Sequence, residues 1–285
     1  MLRNAFAATG AAARELFRNW GALALINLLY AALLASVYLF VTTKEASVPQ
    51  LVLTALAALA VPIWFFVLQA AGVASFAEAG GRLNSVLRRA LRDFWKIFLI
   101  SVPLILLAVL IAYLTNKLQA YFAVADTNAT PRPPALTPLH PLDITPPAPM
   151  RWADALFFAL RLLLLGIALP LTAIHLWISA AREGLRATLR NSLRIIARAL
   201  APQSVLIYVV GMIFFALMPY FLIFTRTPVS NTWLELVIFG LRLALAFVLT
   251  LWGCVITIGA LEKVQVIKEA PVVSTSSGEN VLEES

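Results

Sequence analysis

Six stretches of this sequence are each apolar for long enough to cross a lipid bilayer, and nothing else in the chain limits the fold as tightly. They run over residues 21–41, 51–74, 97–114, 153–179, 205–224 and 233–259. A bilayer core of about 30 Å takes about 20 residues of helix at about 1.5 Å each. Inside lipid every backbone N–H and C=O must be satisfied within the chain, so only helices and closed barrels cross. Barrel strands alternate apolar and polar positions, and these runs do not. The expected fold class is all-α: a polytopic membrane helical bundle with six transmembrane helices. With 61% apolar and 13% charged residues, and a mean hydropathy of +0.89, the chain has too little polar surface to stay in water. The first run is too long for a signal-peptide core and reads as an uncleaved span.

The polar connections divide into two kinds. Residues 1–20 carry Arg3, Arg14 and Arg18 against Glu15, and Phe6, Ala13 and Phe17 recur at roughly helical spacing, as in a short interfacial helix. Between the second and third spans, Leu83, Val86, Leu87, Ala90, Leu91 and Phe94 form an apolar stripe opposite Arg82, Arg88, Arg89, Arg92 and Lys96. After the fourth span, Arg182, Arg186, Arg190, Arg194 and Arg198 recur every fourth residue beside Leu185, Leu189, Leu193, Ile196 and Leu200. Two basic amphipathic helices on the membrane surface are expected here. The other connections are near neutral. The longest, 116–151, holds half of the prolines and reads as an exposed extended loop. By the positive-inside rule the basic connections and both termini face the cytoplasm, and the proline loop lies outside. The domains expected are a cytoplasmic N-terminal segment 1–20, a six-span membrane domain 21–260, and a disordered cytoplasmic tail 261–285.

One pattern occurs twice. Trp152-Ala153-Asp154-Ala155-Leu156-Phe157-Phe158-Ala159-Leu160-Arg161-Leu162 returns as Trp233-Leu234-Glu235-Leu236-Val237-Ile238-Phe239-Gly240-Leu241-Arg242-Leu243. Each copy opens an apolar run and sets an arginine nine residues inside it, about 13 Å along a helix and near mid-depth of a membrane core. This is an internal repeat. An arginine at mid-membrane costs about 2.5–3.5 kcal/mol on insertion scales, so each needs a reason. One reason is structural: the side chain snorkels toward the helix N-terminus, with Asp154 or Glu235 on the same face to neutralise it. The other is functional: Arg161 and Arg242, with Asp154 and Glu235, line a cavity that accepts an anion or a lipid phosphate. Arg88, Arg89, Arg92, Arg186, Arg190 and Arg194 are expected to contact lipid headgroups, with anionic lipids as partners.

Other chemistry finds no support. His175 lies fourteen residues after Arg161, close to the same helical face, and reads as an interfacial hydrogen-bonding residue. His140 and the single Cys254 make no metal set. There is no phosphate-binding loop, no nucleophile elbow and no zinc-protease motif, so neither a cofactor nor catalysis is expected. The net charge of +8 belongs to membrane orientation and lipid contact, not to nucleic acid.

The segment Glu183-Gly184-Leu185-Arg186-Ala187-Thr188-Leu189-Arg190-Asn191-Ser192-Leu193-Arg194-Ile195 resembles a Glu-Gly…Ala…Ser…Leu/Ile pattern in a loose group of bacterial six-span proteins. That group includes the membrane portion of glycerophosphodiester phosphodiesterases and many proteins of unknown function. The resemblance implies a bacterial inner-membrane protein. The soluble barrel that does the chemistry in such enzymes has no counterpart here, so no catalytic residue carries over. The expected function is that of a non-catalytic membrane component, lipid-interacting or scaffolding. The alternative is a small transporter for an anionic or amphiphilic solute, which should show broken spans and polar residues at depth.

Overall fold

The structure, a computed structural model, describes residues 2–43, 47–77, 83–127, 152–225 and 232–269. These residues are almost wholly helical, with no strand among them. The helices are α1 (Leu2–Arg18), α2 (Trp20–Thr42), α3 (Val48–Ala77), α4 (Leu83–Thr127), α5 (Trp152–Arg161), α6 (Leu169–Glu183), α7 (Leu185–Arg190), α8 (Ser192–Ala199), α9 (Pro202–Met212), α10 (Met218–Phe224) and α11 (Thr232–Glu269). Two π-helical stretches, Leu162–Ala168 and Ile213–Leu217, join α5 to α6 and α9 to α10. Among the described residues, six helical segments are long and apolar enough to span: Trp20–Thr42, Val48–Ala77, Leu83–Phe122, Trp152–Glu183, Pro202–Phe224 and Thr232–Gln265. The protein is therefore a multi-pass membrane protein, as the apolar runs predict.

The π stretches have a local cause. Proline lacks an N–H and its ring crowds the carbonyl four residues earlier. For Pro170 and Pro219 those carbonyls belong to Gly166 and Phe215, each inside a π stretch whose wider turn makes room. Pro62 and Pro103, by contrast, lie inside α3 and α4 with α-helix on both sides.

Two compact units emerge, one from residues up to Phe94 together with those from Pro202 onward, the other from Trp95–Ala201. In the first, α11 is the helix on which α1, α3, α9 and α10 all pack. Small residues let the backbones approach, which is how helices gain contact where lipid removes the hydrophobic drive. Gly211 of α9 faces Thr257 of α11, and Gly253 of α11 faces Phe215 of the π stretch. Gly72 of α3 meets Ile258, and Gly259 lies under the Phe76 ring. Every residue from Phe66 to Ser75 is buried.

α1 packs through Ala5, Ala8, Ala12 and Leu16, with Glu15 Oε2 accepting from Lys263 Nζ of α11 at 2.5 Å. The stripe expected from Phe6, Ala13 and Phe17 lies off this packed row. Phe6 is exposed, and Phe17 sets its ring edge-on to Trp252 at 5.0 Å. The small alanines, not the large aromatics, permit the close packing.

In the second unit α6 is enclosed throughout Leu171–Ala180, and Trp177 Nε1 donates to Ser101 Oγ of α4 at 2.9 Å. Both basic segments expected as surface helices are helical, with breaks and continuations that their stripes do not show. The 82–96 segment, from Leu83 on, is the start of α4, a helix of 45 residues that continues into the span. Its buried row is Val86, Ala90, Asp93 and Ile97, while Leu83 and Leu91 are exposed. The 182–200 segment is broken in two. Gly184 takes φ +86, a conformation that favours glycine, and separates α6 from α7; Asn191 separates α7 from α8. Of the loop expected over 116–151, residues up to Thr127 belong to α4; the prolines start only at Pro131. Likewise α11 continues to Glu269, past the boundary expected at 261. Residues 128–151 and 270–285 lie outside the described residues.

Candidate functional site

Each of the two arginines has a defined set of partners. Arg161 Nε donates to Thr115 Oγ1 at 3.2 Å, and its Nη2 donates to Gln119 Oε1 at 2.6 Å. Gln119 Nε2 in turn donates to Asp154 Oδ1 at 2.8 Å. The carboxamide thus relays between the acid and the cation of the first repeat copy, which lie two turns apart on α5. A ring contact between Phe122 and Phe157, 5.8 Å between centroids, continues the same α4–α5 seam. Thr115 is buried and closes the apolar run of α4, with Asn116 and Lys117 next in sequence. Arg161 is therefore level with Thr115 and Gln119 of its neighbour, just past the apolar run 97–114.

The second copy behaves the same way within its own unit. Arg242 Nη1 donates to the backbone carbonyl of Thr225, the residue that ends α10 and the fifth span. From Arg242 to Glu262 is twenty residues, about 30 Å of helix, one hydrocarbon thickness. Glu235 is exposed, and with Arg242, Phe224, Thr225 and Phe239 it lines a cleft of about 630 Å³ between α10 and α11. The tryptophans that open the copies, Trp152 and Trp233, are both exposed.

No protein-family model, curated protein or solved structure matches this chain. What it can do must therefore be read from its own side chains.

The basic residues expected at lipid headgroups divide by environment. Arg88 and Arg92 are exposed, but Arg89 is largely covered and lies 3.7 Å from Asp93, which is itself buried; Arg92 is 3.6 Å from the same carboxylate. Arg89 serves its own helix first. Arg186, Arg190 and Arg194 are exposed, and so are Leu189, Leu193 and Leu200, while Thr188, Ile195 and Ala199 face inward. Segment α7–α8 therefore presents three faces: a buried one, an exposed leucine one and an exposed arginine one.

His175 is buried, and the π stretch turns it off the face of Arg161. In a regular helix fourteen residues bring two side chains nearly into line; the extra residue of a π turn shifts the phase by about 100°. No group of three His, Cys, Asp or Glu residues suited to a metal occurs among the described residues. Thr115 and Gln119 are the site residues that sequence reading missed. Their four-residue spacing was the available signal, hidden by assigning 116 onward to the loop.

Proposed function

We propose that this protein is a non-catalytic, lipid-interacting component of a bacterial inner membrane, and that α7–α8 is its contact with anionic lipid. The observation that supports this reading is the three-faced α7–α8 segment. A helix that exposes leucines and arginines side by side suits the boundary where acyl chains end and phosphates begin. Its resemblance to bacterial six-span proteins points to the same membrane. Each basic residue near an anionic surface contributes about 1 kcal/mol. In the purified full-length protein, added phosphatidylglycerol should raise the melting temperature, and phosphatidylcholine should not. Replacing Arg186, Arg190 and Arg194 together by glutamine should remove most of that gain. An equal response to both lipids would refute the reading.

The orientation carries the second prediction. The basic connections face the cytoplasm in this reading, so on a Cys254→Ala background Thr137→Cys should label with an impermeant reagent in intact cells. Asn191→Cys should be protected until the membrane is opened. The reverse pattern would invert the topology. A transporter role has weaker support: two spans contain π stretches, but the partners of Arg161 and Arg242 (Thr115, Gln119 and Thr225) follow the apolar runs 97–114 and 205–224 and do not interrupt them.

A further inference from the structure

The cleft between α10 and α11 joins opposite charges to an apolar wall. Glu235 and Arg242 are seven residues apart on α11, two turns, and so share the face that lines it; Phe224, Phe239 and Ile223 supply apolar surface. Arg242 gives one N–H to the Thr225 carbonyl, and the guanidinium has five. No partner holds Glu235 among the described residues, and it stands near the C-terminal end of α10. Carbonyls at a helix C-terminus carry partial negative charge and favour a cation. An anion alone would meet both that end and the Glu235 carboxylate.

We propose that this cleft holds a zwitterionic phosphoethanolamine headgroup, with Arg242 on the phosphate and Glu235, helped by the α10 terminus, on the primary ammonium. The guanidinium suits phosphate because its N–H groups form a planar fork. A primary ammonium can donate hydrogen bonds to Glu235, which a quaternary choline cannot. The aromatic rings receive the glycerol and upper acyl segments. The headgroup can come from a bilayer lipid or from free phosphoethanolamine, and the apolar wall is what separates the two. This site is independent of lipid binding at α7–α8.

The test is thermal stabilisation of the full-length protein in neutral detergent, titrated with phosphatidylethanolamine, phosphatidylcholine, phosphatidylglycerol and free phosphoethanolamine. Phosphatidylethanolamine should give a half-effect concentration at least tenfold below phosphatidylcholine, and below phosphatidylglycerol once Arg186, Arg190 and Arg194 are replaced by glutamine. Glu235→Gln should raise that concentration about tenfold and leave the unliganded melting temperature unchanged. Arg242→Lys keeps the charge but loses the fork, and should weaken the response several-fold. Arg186, Arg190 and Arg194 replaced by glutamine should leave it unaltered. Free phosphoethanolamine matching the lipid would support the headgroup chemistry and assign its source to solution. If Glu235→Gln responds to phosphatidylethanolamine as the parent does, or phosphatidylcholine does as well as phosphatidylethanolamine, the proposal is wrong.

Discussion

Gly211→Val should destabilise the protein by about 3 kcal/mol or more, a large fraction of an ordinary stability margin. A Cβ on Gly211 would overlap the Thr257 hydroxyl and lie 3.0 Å from the Thr257 Cβ. Thr257 cannot simply turn away. It is stiff at χ1, and its hydroxyl donates to the Gly253 carbonyl at 2.7 Å, which holds the rotamer. The backbones would have to part, and Gly253 against Phe215 one turn away would part with them. Gly211→Ala separates the clash from side-chain bulk. Alanine gains up to about 1 kcal/mol over glycine in a helix, so a net loss would show that the contact outweighs propensity. Moving the glycine across the interface, as Gly211→Ala with Thr257→Gly, should recover most of the loss. Thermal melts of the three variants in one detergent measure this, and an unchanged Gly211→Val would mean that α9 and α11 do not cross at these residues.

The other large effect belongs to a residue without charge. Gln119→Leu should cost about 3 kcal/mol, because it strips a hydrogen bond from both Arg161 and Asp154 and leaves two ions half-satisfied. For a chain of this size that is a fall of roughly 6–12 °C in melting temperature. Arg161→Lys should cost less, about 1 kcal/mol. It keeps the charge, but one ammonium cannot reproduce the fork that reaches Thr115 and Gln119 together. The order of the two variants is the informative result. A snorkelling arginine would make Gln119→Leu neutral, so a melting temperature within a degree or two of the parent would eliminate the network.

These two sites show what could be read from the sequence and what could not. The six spans were legible because hydrocarbon forces long uninterrupted apolar runs, a constraint that acts on each segment alone. The repeat was legible as a pattern, but the partners of its arginines were not. Those depend on which neighbour lies beside Arg161 or Arg242, and Thr115 and Thr225 are far away in sequence. The packing of the 82–96 segment was hidden for a related reason. Val86, Ala90 and Asp93 form the buried row of α4, and no scale ranks a buried aspartate above an exposed leucine. Likewise Ala5, Ala8 and Ala12 carry the packing of α1, and a hydropathy stripe gives small side chains little weight. Glu235 and Arg242 were legible as charges in the wrong solvent. That they line one cleft with Phe224 required the fold.

The π stretches also bear on how this chain can change over time. A π turn is a helix that has absorbed one extra residue without disturbing the flanking faces. A single-residue deletion elsewhere in a span swings every later side chain by about 100° and carries the buried row into lipid. Inside Leu162–Ala168 or Ile213–Leu217 the same deletion leaves the α6 and α10 faces where they are, and its cost falls on one carbonyl pressed by Pro170 or Pro219. The fourth and fifth spans thus carry a spare residue apiece, and length variation in this protein's lineage has a ready place to accumulate at those two positions.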